Sequence, residues 1–138
     1  MTVCSTALHP QAALEARPLW DDRHSNSPGR RAAQRLCDLA ALAASSAFAV
    51  PIAELVAASR RTPDAAFARQ SAMYLAHVTF GLSYAAVGRA FGRDRTTAAY
   101  ACRLIEERRD DPAVDAVLGL LENGCARLRR RLSAGLQP

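Results

Sequence analysis

The segment from Phe67 to Arg109, FARQSAMYLAHVTFGLSYAAVGRAFGRDRTTAAYACRLIEERR, leaves few folds open. Its apolar residues recur at helical spacing, and Gly81 and Gly92 interrupt it twice. Asp64 is expected to cap a helix running to about Phe80, with Phe67, Ser71, Tyr74, Leu75 and Val78 on its buried face. Gly81 supplies the stop. Ser83 then caps a short helix, Tyr84 to Phe91, with Val87 and Phe91 turned inward. Gly92-Arg93-Asp94 forms a turn. A third helix starts near Arg95 or Thr96 and runs to about Arg109, with Ala98, Ala101, Cys102 and Ile105 as its inner face.

The remainder of the chain agrees with an all-α class, a small helical bundle. Half of the residues are hydrophobic, but alanine supplies much of that, and aromatic and β-branched residues are sparse. Alanine is the best helix former, and strands favour the residues this chain lacks. A first helix is expected over Arg30–Phe48, with Leu36, Leu39, Ala40, Ala43 and Ala47 as its apolar stripe. Pro51 opens a short helix that ends near Ser59. Residues 60–63, Arg-Arg-Thr-Pro, read as a basic connector. Asp111-Pro112 restarts the chain, and a last helix over about 112–132 places Val114, Leu118, Leu121, Cys125, Leu128 and Leu132 at a 3.5-residue period. That seam either closes the core, the commoner case, or serves self-association or a partner helix. The division expected is a disordered tail over 1–29, a helical domain over 30–110, and a C-terminal helix with a short tail over 111–138. Leu19 and Trp20 stand out within the tail as a docking pair, on the body or on a partner.

Charge is distributed unevenly. The formal net charge is +5, and all 18 basic residues are arginine. Residues 60–109 hold nine arginines against four acids, whereas the flanking regions balance. Phosphate neutralisation requires such a concentration of positive charge. Cys4, Cys37, Cys102 and Cys125 have no metal-ligand spacing, and the last three lie on apolar helical faces. His9, His24 and His77 are isolated. No GxxxxGK[ST] loop is present, and adjacent carboxylates such as Glu106-Glu107 point in different directions on a helix. An enzyme is therefore not expected, nor a cofactor or metal. Without a signal-peptide pattern or a membrane span, the expectation is a reduced, cytoplasmic, nucleoid-associated protein with no membrane partner.

A short helix, a tight turn and a longer helix fit a helix-turn-helix reader of double-stranded DNA. The first turn of the second helix reaches base edges, and Arg93, Asp94, Arg95, Thr96 and Thr97 occupy that place. Arginine matches the acceptors of guanine, threonine contacts a thymine methyl or a phosphate, and helix-start N–H groups suit a phosphate. The plainer reading is a polar cap made by Asp94 or Thr96.

Several of these residues stand in a recognisable order: Ala68-Arg69-Gln70, Ala72-Met73-Tyr74-Leu75-Ala76, Gly81-Leu82-Ser83, Val87-Gly88-Arg89-Ala90-Phe91-Gly92, Arg93-Asp94, Thr96-Thr97, Ala101-Cys102-Arg103 and Ile105-Glu106. Together they resemble the C-terminal DNA-binding domain of the bacterial chromosomal replication initiator DnaA, over a core of residues 50–107. The resemblance implies that Arg61 enters the minor groove, that Arg69, Gln70 and Ser83 contact the DNA backbone, and that Asp94, Thr96 and Thr97 belong to the base-reading signature. One glycine is missing beside Gly92, Arg95 replaces the family's usual histidine, Ala85 replaces a frequent proline, and Ala98 a common valine. The initiator's ATPase module has no counterpart in these residues. The function expected is sequence-selective binding of double-stranded DNA, regulating transcription or replication initiation without ATPase activity. The alternatives are a helical protein-interaction adaptor and a nonspecific nucleoid-associated binder.

Overall fold

The computed structural model describes residues 28–57 and 62–135. The expected tail, with Leu19 and Trp20, falls outside them except at its last residues, as do Arg60 and Arg61. Among the described residues there are six helices and no strand: α1 Pro28–Phe48, α2 Ile52–Leu55, α3 Pro63–Val78, α4 Tyr84–Ala90, α5 Arg95–Arg108 and α6 Pro112–Gly135.

Helix α1 buries Ala33, Cys37, Ala40, Ala41 and Ala44, spaced at four, three, one and three residues. The expected stripe is thus displaced by part of a turn. Leu36, Leu39 and Ala43 are only partly buried, and Ala47 faces outward. Small residues win the centre because α1 lies close along α3. The helix ends at Ala49, whose φ of 54° puts a side-chain-bearing residue in the left-handed region. The Val50 amide donates to the Ser45 carbonyl at 3.2 Å, and Ser45 Oγ donates to the Val50 carbonyl at 2.6 Å. These bonds hold a helix-end motif in which glycine is usual.

Helix α2 is a single turn, shorter than the sequence suggests. Its Leu55 is fully buried, and the chain leaves the helix at Val56. Thr62, not Asp64, caps α3: its Oγ1 accepts from the Ala65 amide at 3.1 Å. The reason is Pro63, whose fixed φ suits the first helical position and draws the start one residue earlier than an Asp64 cap allows. Asp64 then sits in the first turn, where its charge complements the helix dipole.

Helix α3 is the centre of the molecule. Ala65, Ala68, Ala72, Met73, Leu75 and Ala76 are almost completely buried, so the helix is enclosed on nearly every side. Two expected members of its inner face differ. Phe67 is half-buried, and Val78 is exposed because α3 is about to end there. Gly81, at φ 69°, makes the reversal.

The α4–α5 pair follows the sequence closely. Ser83 Oγ accepts from the Ala86 amide at 3.1 Å and caps α4. At its other end the Arg93 amide donates to the Gly88 carbonyl at 2.7 Å and the Gly92 amide to Arg89 at 3.2 Å, with Gly92 at φ 67°. This left-handed closure turns the chain sharply into α5. Ala98, Ala101, Cys102 and Ile105 are buried as expected.

The first half of α6 closes a second cluster of Tyr74, Cys102, Ile105 and Leu118, backed by Val114 and Leu121. Cys125 joins the main core. Arg109 fastens the arrangement: its guanidinium bonds Asp115 at 2.6 Å, Tyr74 Oη at 3.1 Å and the Glu122 carboxylate. These partners raise its pKa above the ordinary arginine value, led by the Asp115 bond. Leu128 and Leu132, the last members of the 3.5-residue seam, are exposed, so the seam serves the core only as far as Cys125.

Candidate nucleic-acid interface

An open cleft of about 600 Å³ lies between the start of α3, the α4–α5 turn and α5. Thr62, Arg69, Gln70, Arg93, Thr97 and Tyr100 are among the residues that line it. Two cations converge there. Arg69 is 7% exposed, and its Nε donates to the Leu55 carbonyl at 2.8 Å while Nη2 reaches the Ala57 carbonyl at 3.3 Å. Arg93 Nη2 donates to the same Ala57 carbonyl at 2.8 Å. One carbonyl oxygen thus orients two guanidinium groups whose mutual repulsion would otherwise separate them. The result is a fixed positive focus at the junction of the α2–α3 connector with the turn that feeds α5.

Beside the cleft, the first turn of α5 is open. Arg95, Thr96 and Thr97 are exposed. Asp94 caps this helix, with its Oδ1 accepting from the Thr97 amide at 2.7 Å. Hydrogen bonds from the Thr97 and Thr96 backbone hold its carboxylate below the usual range. The capping carboxylate therefore occupies helix-start amides that the sequence reading offered to a phosphate, and it makes that point negative rather than receptive to an anion. What this turn presents outward is side chains.

The turn can sit so tightly because of Gly88. A Cβ placed there would lie 2.7 Å from the Asp94 carbonyl oxygen and 2.9 Å from that of Arg93. Only a glycine lets α4 touch the backbone that leads into α5.

The sequence-expected residues separate into groups. Arg69, Gln70, Arg93 and Thr97 meet around the cleft. Arg95 and Thr96 stand on the adjoining open turn, and Asp94 serves as the cap. Ser83 does not line the cleft, and its hydroxyl caps α4. Arg61 lies outside the described residues. Sequence reasoning did not single out Thr62 or Tyr100. Tyr100 is 51% exposed and lies three and four residues after Thr97 and Thr96, with Arg103 another three on, so all share one face of α5. That i, i+3, i+4 spacing was the available signal. Thr62 was hidden by the stronger-looking Asp64.

Residues 42–105 match the family model described as the bacterial dnaA protein helix-turn-helix. The chain is 39% identical over 64 residues to the chromosomal replication initiator protein DnaA 2 of Chlamydia pneumoniae, an overlap of 46% of this chain and 14% of that protein. It is 40% identical over 67 residues to the protein of the same name from Chlamydia trachomatis, covering 49% of this chain and 14% of the relative. The chain thus spans about a seventh of the length of these curated relatives. A crystal structure of a DNA replication initiation factor superposes with a TM-score of 0.63 at 26% identity, over 70% of this chain and 30% of the other.

Proposed function

We propose, from the match of residues 42–105 to the bacterial dnaA helix-turn-helix family model, that the chain binds double-stranded DNA sequence-selectively, as a regulator of transcription or replication initiation that lacks ATPase activity. The observation that carries this reading is the pairing of Arg69 and Arg93 on the Ala57 carbonyl beside the exposed first turn of α5. A fixed double cation suits phosphate oxygens, and phosphate contacts set the register in which a helix reads bases. Arg95, Thr96 and Thr97 then face the major groove, with Tyr100 and Arg103 continuing along the same side. Gln70, Ser83 and Arg61 serve the flanking backbone and the minor groove. On this reading residues 30–110 form the DNA-binding domain, and the protein resides on the nucleoid in the cytoplasm.

Arg95 is the base reader that distinguishes this chain. Its guanidinium fork matches the O6 and N7 acceptors of guanine, where histidine offers a shorter, single-point reader. Selection of bound sites from a random duplex pool tests the reading. Wild type should enrich a site with a guanine opposite Arg95. Arg95→Ala should weaken binding to that site by about 1–3 kcal/mol and affect random duplexes much less. Equal enrichment of all sequences would leave a nonspecific binder, and no retention of any duplex at low salt would leave the interaction adaptor. One further observation favours a protein contact in addition to DNA, namely the apolar side chains that α6 leaves exposed, and self-association through this helix is part of the proposal.

A further inference from the structure

The last turns of α6 carry positive charge that the reader does not account for. Arg127, Arg130 and Arg131 fall at i, i+3 and i+4, so they stand together on one side of the helix. All are exposed, and none makes a hydrogen bond or ion pair among the described residues. No acid follows Glu122 in the sequence. With Arg129 they set four positive charges against a helix end that carries about half a negative one. Completing the helix dipole therefore leaves most of this charge unmatched.

Arg129 fixes where this face stands. Its Nη1 donates to the carbonyl of Thr79, the residue that ends α3, at 3.0 Å. A shallow cavity of about 370 Å³ opens there, lined by Thr79, Ala126, Arg129, Arg130 and Ser133. Thr79 lies four residues before Ser83, the cap of α4. The turn between them is held on both sides: His77 Nδ1 donates to the Leu82 carbonyl at 2.7 Å, and the His77 ring stacks on Tyr84 with centroids 4.1 Å apart. The arginine end of α6 is thus tied beside the start of α4. In a helix-turn-helix the first helix, here α4, crosses the sugar-phosphate backbone while the second enters the groove. The seven residues of α4 span about 10 Å, comparable with the major groove's width of about 12 Å. A duplex read by the first turn of α5, at one end of α4, therefore runs a phosphate strand past the other end, where these arginines stand.

We infer that Arg127, Arg130 and Arg131 form a second phosphate-binding face, which holds the duplex backbone on the flank of the site that α5 reads, and that Arg129 positions it. The stretch from Arg127 to Arg131 covers about 6 Å of helix, against one phosphate per 3.4 Å of axis on each strand, so the face meets about two phosphates. Such contacts carry no sequence information; they set affinity and the length of duplex covered. An acidic protein is the other polyanion that would suit the charge, and continuity with the start of α4 favours the duplex. The inference rests on the DNA-binding reading above and adds to it a contact outside residues 42–105, the stretch that matches the family model.

Fluorescence anisotropy of the full chain on a duplex selected from a random pool, over a salt series, tests this. A variant combining Arg127→Ala, Arg130→Ala and Arg131→Ala should keep the wild-type melting temperature, since these side chains have no partners to lose. Its affinity should fall on the order of 10-fold to 10²-fold at about 0.1 M salt, and its log–log salt slope should shrink by about 2. A variant with lysine at the same three positions should keep the wild-type slope, because the charge is retained. All three proteins should select the same sequence. At one end of that duplex, trimming the flanking base pairs should cost wild type the same factor and the alanine variant nothing. If the alanine variant keeps wild-type affinity and slope, the face does not touch DNA and the inference is overturned while the DNA-binding reading stands. Loss of retention on polyglutamate by that variant would then assign the face to an acidic protein. A changed sequence preference would make these arginines base readers and overturns the inference as well. If wild type retains no duplex at low salt, both readings fall.

Discussion

Replacing Gly88 by alanine should destabilise the fold, although the same change in an open helix stabilises it. On an uncrowded helix, glycine to alanine gains about 1 kcal/mol. At Gly88 the new methyl meets two backbone carbonyl oxygens at 2.7 and 2.9 Å, well inside the ~3.5 Å at which non-bonded contacts become favourable. Neither oxygen belongs to a side chain that can rotate away. Relief requires moving the Arg93-Asp94 backbone by several tenths of an ångström from α4, and this strains the 2.7 Å bond from the Arg93 amide to the Gly88 carbonyl. Overpacking of this kind costs about 1–3 kcal/mol. After the propensity gain, a net loss of about 1 kcal/mol is expected, near 4–8 °C in melting temperature for a domain of this size. The displaced segment begins α5, so DNA affinity should fall further than stability alone explains. Urea unfolding of Gly88→Ala beside Gly119→Ala gives the comparison, because a methyl at Gly119 meets nothing within 4 Å. Gly119→Ala should stabilise. If both substitutions stabilise equally, the close approach of α4 to the turn is not what fixes the reader.

Three further outcomes follow from the geometry. Ala49→Gly should raise the urea midpoint by an amount equivalent to about 1 kcal/mol, because it relieves a left-handed residue at a helix end. Arg69→Ala should lower stability by about 1.5–3 kcal/mol in the same assay, since it strips buried carbonyls of charged donors; full stability with weakened DNA binding would instead make Arg69 a pure phosphate contact. Asp94, with its pKa lowered in the fold, contributes stability that is present above the unfolded value near 3.9 and is lost as pH falls through the folded value. Asp94→Asn keeps a capping oxygen but not the charge, so the variant should melt below wild type at pH 7 and the two should converge as pH falls through the folded value.

The reader unit was legible because its punctuation is local. Gly81, Ser83, Gly92 and Asp94 each fix a backbone conformation within a few residues, and the buried face of α5 follows from period alone. Where tertiary packing chose among similar residues, the sequence was ambiguous. Along α1 the stripe of Leu36, Leu39, Ala40, Ala43 and Ala47 looked as good as the one that close approach to α3 selected, Ala33, Cys37, Ala40, Ala41 and Ala44. Asp64 was the cap the sequence suggested, and Pro63 at the first helical position moved that role to Thr62. Charge density pointed to the 60–109 region, but the convergence of Arg69 and Arg93 could not be read, because the oxygen that joins them, on Ala57, belongs to the backbone of a connector distant from Arg93 in sequence. Gly88 was recognisable only as part of a resemblance; its neighbours across the turn give it a physical reason.

The alanine-lined contact of α1 with α3 bears on how such a protein can change over generations. Ala40, Ala41 and Ala44 on one helix, and Ala65, Ala68, Ala72 and Ala76 on the other, are all 3% exposed or less. A side chain this small has almost nothing left to lose, and every enlargement must push two helices apart. Mutations there are therefore filtered strongly in one direction, and the interface is a poor source of viable novelty. Arg95, Thr96 and Tyr100, exposed on α5 and remote from that constraint, can be exchanged with little penalty to folding. Innovation in what the molecule recognises is thereby channelled onto a few outward positions, where drift can explore new partners while the scaffold beneath stays the same.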